Sequence, residues 1–248
     1  MSYQEYRADY KRDGHLVIRQ FLTEDEFQEL SDHVDRFIRD VVPGLPPSKA
    51  FYQDPEKPET LKQLQEMEED PFFRDFLGHP KLVSLAETLV GEPVRGNTEW
   101  FNKPPNTRHP TPPHQDNYYF CLIPCNVVTL WLPLQPVDEE NGCLRYVTGS
   151  HLEGYRPHNP TEVIGFSQGI TDYGPRDRLR EHRVVLQPGD LAAHHGMMIH
   201  SADPNRSNHR HRPAFAVVYK GVSCRMDEDA ARRYRDNLRR QHQEAGMA

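Results

Sequence analysis

Pro113-His114-Gln115-Asp116-Asn117-Tyr118-Tyr119-Phe120, followed by the apolar run Val127-Val128-Thr129-Leu130-Trp131-Leu132-Pro133-Leu134, is the stretch from which the rest of the chain is read. His114 and Asp116 stand two residues apart. On a strand or its continuation, residues i and i+2 point the same way, so an imidazole and a carboxylate can face one metal ion. His200 follows the strand expected at 191–195 by one turn. Two imidazoles and a carboxylate on one face of a metal leave three octahedral positions open, the facial triad of non-haem Fe(II) oxygenases. His-x-Asp alone also arises by chance, and 14 histidines offer many accidental partners, so the surroundings must decide.

Outward from that stretch the pattern is one of short strands. Residues 94–102 alternate, with Val94, Gly96, Thr98, Trp100 and Asn102 on one face and Arg95, Asn97, Glu99 and Phe101 on the other. Further strands are expected at 127–134, 144–147 (entered through Asn141-Gly142), 183–186, 191–195 (after Pro188-Gly189-Asp190) and 214–219. Such strands and turns predict a mainly β fold with flanking helices, a cupin-like double-sheet jelly roll. Towards the N-terminus, residues 3–12 read as a helix and 16–18 as a strand. Thr23 and Glu26 form a capping box ahead of Phe27, Leu30, Val34 and Phe37 at helical spacing. Residues 61–67 and 71–77 read as helical pieces, and a stronger helix runs from Pro80 to its stop at Gly91. The tail from 227 to 244 reads as a charged helix on the outside. The expectation is one domain over 1–248: a mostly helical part at 1–93, a jelly-roll core at 94–219 and a C-terminal helix at 227–245.

Composition narrows the function classes. Lys+Arg 30 against Asp+Glu 37 gives a net charge of −7, without the basic excess or stripe of a nucleic-acid binder. No apolar run approaches the roughly 20 residues that span a bilayer, and the polar start lacks the features of a signal peptide. Cys121, Cys125, Cys143 and Cys224 form no CxxC pair and read as reduced thiols of a cytoplasmic protein.

The blocks around the His-x-Asp pair resemble the phytanoyl-CoA dioxygenase family of Fe(II)/2-oxoglutarate-dependent oxygenases. Residues 113–120 are similar to its PHQDxxYF segment. Trp131 to Leu134, then Val137-Asp138-Glu139-Glu140-Asn141-Gly142-Cys143-Leu144 and Gly149-Ser150-His151, resemble its W-x-P/A-L, VD-x-x-NG-x-L and GSH blocks. Pro188-Gly189-Asp190, His200-Ser201, Asn205-Arg206-Ser207 and Arg212 resemble its PGD, H-x-S, N-x-S and R ending. The matches run in the family's order over about residues 94–219.

The resemblance implies a double-stranded β-helix holding Fe(II) and 2-oxoglutarate and consuming O2. His114, Asp116 and His200 match its metal ligands. Arg212 matches the arginine that pairs bidentately with the far carboxylate of 2-oxoglutarate. That arginine often lies eleven residues after the second histidine, where this chain has His211; a one-residue insertion accounts for Arg212, with Arg206 and Arg210 as lesser candidates. Trp131 matches a tryptophan packed near the cosubstrate, Asn97 and Lys49 are cosubstrate-contact candidates, and Tyr118, Tyr119 and Arg95 are substrate-contact candidates. Asp116 disfavours halogenation, because the superfamily's halogenases replace that carboxylate. The implied activity is hydroxylation of a small polar or anionic substrate by a monomer or homodimer, with no nucleic-acid or membrane partner. The ending Gly246-Met247-Ala248 is no peroxisomal signal, so phytanoyl-CoA itself is not carried over. A cupin-like metalloprotein that ignores 2-oxoglutarate and a non-catalytic module of the same fold are the rival classes. Adjacent His194 and His195 point opposite ways, so at most one of them faces the site, and the segment 154–181 is a candidate lid.

Overall fold

The computed structural model describes residues 2–161, 163 and 168–244. Its larger antiparallel sheet is ordered β1 (His15–Ile18), β12 (Leu191–His195), β7 (Val127–Pro133), β14 (Ala214–Gly221), β4 (Pro93–Phe101), β3 (Leu61–Leu64) and β2 (Ala50–Tyr52). The smaller sheet is ordered β11 (Glu181–Val184), β8 (Leu144–Val147), β13 (His200–Ala202) and β5 (Thr111–His114). Two short ribbons pair β9 (His158–Pro160) with β10 (Gln168–Ile170), and β6 (Leu122–Ile123) with β15 (Arg225–Met226). The helices are α1 (Glu5–Asp13), α2 (Glu24–Asp40), α3 (Pro71–Phe76), α4 (Pro80–Val90), α5 (Asn117–Phe120), α6 (Pro175–Arg178) and α7 (Glu228–Glu244).

Two cores follow from the alternation along the strands. Val128, Leu130 and Leu132 of β7, with Trp100, Phe215 and Val217, face the helices and meet Leu30, Val34, Phe37, Phe73, Leu82 and Leu85. Trp131, Ala192, Ala214 and Ala216 face the other way and meet Leu144, Tyr146, Val184 and Ala202 of the smaller sheet. Every residue of β7 is buried because both faces of its sheet are covered. This is the jelly-roll class that the strand pattern predicts. Between the sheets, beside Trp131, Leu144 and Ala202, the packing opens into the functional cavity.

The cap at Thr23 forms as expected: its hydroxyl accepts from the Glu26 N–H, and the Glu26 carboxylate accepts from the Thr23 N–H at 2.8 Å. Gly142 adopts φ +92° in the expected turn, and a Cβ there would lie 2.4 Å from the Asp203 carbonyl oxygen. Three expectations are corrected. Residues 61–67 are not helical: β3 pairs Gln63 with Phe101 and Leu64 with Trp100, and a 3₁₀ turn follows at Met67–Glu69. The three-residue spacing of Leu61, Leu64 and Met67 imitates a helix face, but the open edge of β4 captures the segment as a strand. The N-terminal part keeps the helices α1 to α4 and the expected β1, and adds β2 and β3. The strand expected at 183–186 runs at Glu181–Val184, and Leu186 instead forms an isolated bridge with Val137. Finally, α7 does not simply lie outside, because Tyr234 packs edge-on against Tyr118 and Tyr119, just after the His114–Asp116 segment.

Candidate metal centre

β5 ends at His114, and β13 opens at His200 directly opposite, the two being registered partners in the smaller sheet. Asp116 follows β5 by two residues at the start of α5. One ligand atom from each of these three residues lies within 4.8 Å of the others, making a group able to hold a metal ion. Asp116 Oδ1 is 3.5 Å from His114 Nε2 and 3.4 Å from His200 Nε2. The imidazoles are buried, with ring centroids 4.1 Å apart. His114 Nδ1 lies 2.8 Å from the Pro112 carbonyl and His200 Nδ1 lies 3.0 Å from the Met198 carbonyl. Each Nδ1 therefore carries the proton, and each Nε2 lone pair is presented to the cluster. Burial, with His114 alongside, pushes the His200 imidazole well below its usual range, which keeps it neutral as a ligand must be. Burial alone would raise the Asp116 carboxyl, but the neighbouring imidazoles of His200, His114 and His194, the last donating to it, hold it well below the usual carboxylate range.

The second oxygen of Asp116 is committed elsewhere. Oδ2 accepts from Thr129 Oγ1 at 2.9 Å and from His194 Nε2 at 3.0 Å. Of the adjacent histidines, His194 is thus the one that faces the site. His195 turns away to pack near Tyr10 and His151.

The triad opens on a cavity of about 760 Å³, mouth included, lined by Trp131, Leu144, Phe101, Gln63, Lys62, Lys103, His109 and Arg212 among others. Arg212 is 4% exposed, its guanidinium carbon stands 5.4 Å from the Trp131 ring, and its Nε has no hydrogen-bond partner. Burial pushes it down to about 10. Lys103 is equally buried and exchanges both backbone hydrogen bonds with Arg212 at 3.3 and 3.1 Å, so the two side chains enter the cavity together. Burial and the nearby Arg212 press its ammonium well below its usual range. Among the described residues no carboxylate pairs with either cation. A buried guanidinium without a counter-charge is costly unless an anion joins it, and an anion would also favour the charged form of Lys103, so the cavity fits the dicarboxylate that the sequence implies.

The lesser arginines fall away, because Arg210 is tied to Asp138 and Glu140 and Arg206 is exposed. His211 turns aside to the Asn102 amide, 3.1 Å away. Lys49 is corrected: it pairs with Glu66 at 2.9 Å and Glu69 at 2.5 Å and does not line the cavity. Asn97 is likewise corrected: it donates to Glu99 Oε1 at 2.7 Å and does not line the cavity. Tyr118 stacks on His158, with centroids 4.1 Å apart. Tyr119 packs edge-on to His114 at 5.9 Å, and its hydroxyl donates to the Gln168 carbonyl. Both border the ligands without lining the cavity. The Arg95 side chain, and residues 162 and 164–167 of the candidate lid, lie outside the described residues. The sequence reading missed Lys103, Thr129, Tyr146, Gln63 and the role of Glu99. Glu99 and Thr129 carried a signal, since alternation places them on the inner faces of β4 and β7.

Comparison with known proteins agrees with this geometry. The family model described as Phytanoyl-CoA dioxygenase (PhyH) matches residues 10–214. The peroxisomal phytanoyl-CoA dioxygenase of Rattus norvegicus is 29% identical over 240 residues, covering 89% of this chain and 69% of its own. Among solved structures, the epimerase SnoN in complex with Fe3+, alpha-ketoglutarate and nogalamycin RO superposes with a TM-score of 0.69 at 24% identity, covering 89% of this chain and 84% of that one. EctD from S. alaskensis gives a TM-score of 0.75 at 18% identity, covering 92% and 79%. These structures share the fold, and the family match over most of the length shows that this chain belongs to the phytanoyl-CoA dioxygenase family.

Proposed function

We propose that this chain hydroxylates an unactivated C–H bond of a small polar or anionic molecule, with release of succinate and CO2. Membership of the family makes it an Fe(II)- and 2-oxoglutarate-dependent oxygenase. The observation that carries the proposal is one cavity holding both the His114–Asp116–His200 donor set and the buried, unpaired Arg212. His114, Asp116 and His200 would hold the iron, which with 2-oxoglutarate supplies the activation of O2 that puts one oxygen atom into succinate and the other into the product. The protein's own part is binding and aim. His114 and His200 keep their Nε2 lone pairs turned to the metal position by tying Nδ1 to the backbone. Arg212, with Lys103 beside it, would attract the far carboxylate of 2-oxoglutarate, and Trp131, against Arg212, forms part of the wall there. Phe101 and Leu144 exclude water, while Lys62 and His109 give the same cavity polar points on which a substrate can be oriented.

Anaerobic titration of metal-free protein with Fe(II), then 2-oxoglutarate, tests the reading through the visible charge-transfer band. The band is expected in the wild type. His200→Ala should abolish it, and Arg212→Ala should require at least about 10-fold more 2-oxoglutarate, matching the loss of a charged hydrogen-bonded pair. Iron bound without any band would overturn the reading and favour a cupin-like protein that ignores 2-oxoglutarate. A substrate screen by succinate release then identifies what is hydroxylated.

A further inference from the structure

We infer that His194, set by Tyr146, is a positioning residue that holds Asp116 to one-oxygen ligation of the metal. The inference rests on the reading of His114, Asp116 and His200 as the ligands. Asp116 Oδ1 faces the two ligand imidazoles at 3.5 and 3.4 Å, whereas Oδ2 is taken by Thr129 at 2.9 Å and His194 at 3.0 Å. On the far side, His194 Nδ1 lies 3.0 Å from the Tyr146 hydroxyl. Tyr146 is fully buried and His194 is 2% exposed.

The directions of these hydrogen bonds are determined by their chemistry. A carboxylate that ligates a metal can only accept, so with Oδ2 3.0 Å from Nε2 His194 carries its proton on Nε2 and Nδ1 is an acceptor. The Tyr146 hydroxyl, 3.0 Å away, must then donate to Nδ1. Donors therefore run one way, from Tyr146 to His194 to Asp116. With Thr129 added, both lone-pair directions of Oδ2 are occupied. A carboxylate free to rotate could place both oxygens on a metal and occupy one of the positions that a facial triad leaves open. Here that rotation would break two buried hydrogen bonds, each costly to lose.

The same network restrains His194 itself. Its ring centroid is 4.4 Å from that of His200, close enough for a third imidazole to compete for the metal. With Nε2 protonated and donating to Asp116, it has no lone pair to offer on that side. His194 thus adds order to the site without adding a ligand.

Cobalt(II) titration of metal-free protein, followed by its visible ligand-field spectrum, separates this inference from the ligand assignment. His200→Ala is the control, and unchanged cobalt affinity there would sink the metal reading itself. If that control behaves, His194→Phe should bind cobalt about 10- to 100-fold more weakly, with altered band intensity from a changed coordination number. His194→Gln, whose Nε2 can still donate to Asp116, should recover most of the affinity and the wild-type spectrum. Tyr146→Phe should give a smaller loss in the wild type and none in the His194→Gln background, because Tyr146 acts through the imidazole. Wild-type affinity and spectrum in folded His194→Phe, or His194→Gln as impaired as His194→Phe, would overturn the inference. If His194→Phe does not fold, Tyr146→Phe decides: an unchanged cobalt spectrum and affinity there overturns it equally.

Discussion

Glu99 shows how much one inward-facing residue can carry without any motif to mark it. Its carboxylate accepts from Gln63 Nε2 at 3.1 Å and Asn97 Nδ2 at 2.7 Å, yet burial, reinforced by Asp116, pushes it up to about 7. The unfolded chain releases that proton near 4.5. Between about 4.5 and 7 the folded state retains a proton that the unfolded state has lost, so stability falls as pH rises through this window, and the full cost is present above 7. Glu99→Gln in metal-free protein should therefore be more stable than the wild type by about 1–3 kcal/mol at pH 8 and no more stable at pH 4. Urea unfolding at both values checks this, and an equal offset at both would refute it. The His114–Asp116 pair and His200, which the fold gathers into a group able to hold a metal, were legible at this scale, because His-x-Asp spacing and the blocks around it survive without coordinates. Lys103 was not, because its pairing with Arg212 spans more than a hundred residues of sequence.

At the scale of elements, local chemistry and tertiary pairing contribute differently. The α2 cap is wholly local, so Thr23→Ala should cost about 1 kcal/mol of stability while leaving the cobalt spectrum of the site untouched; a changed spectrum would contradict the separation of α2 from the centre. The β4–β14 ladder is long-range. A Cβ on Gly96 would meet the Val218 carbonyl oxygen at 2.6 Å, beside the register shift between Val217 and Tyr219. Gly96→Ala should thus cost about 2–4 kcal/mol by forcing those strands apart, read as a lower urea midpoint; a loss under about 0.5 kcal/mol would show that the ladder can yield. Strands with strong alternation or continuous apolar character, β4 and β7, were evident in sequence. β3 was misread because its apolar spacing matches a helix and its partner on β4 lies nearly forty residues on. The short β5 and β13 carry too few residues for a pattern of their own, though they deliver His114 and His200.

Across the whole molecule, histidines dominate the response to acid. Burial holds His15, His158 and His195 down at about 4, against an ordinary value of 6.5. In the window between, the unfolded chain takes up protons that the folded chain refuses, so stability falls as pH drops from about 6.5 to 4 and the dependence then levels off. Melting of metal-free protein should move down by about 10 °C over that range. A melting temperature flat from pH 7 to 4 would show that these imidazoles ionise in place. Among the described residues no helix is long and apolar enough to cross a membrane.

The sequence by itself determined the jelly-roll class and the family, because strand alternation, turn glycines and the motif blocks around His114-Gln115-Asp116 are local properties of the chain. Only the tertiary structure decided which arginine is buried in the cavity, that Lys103 joins it, that Lys49 does not, and that His194 is held against Asp116 while His195 turns away. Those outcomes depend on which strands pair and which faces become buried, and the energy that selects them comes from contacts between residues far apart in sequence.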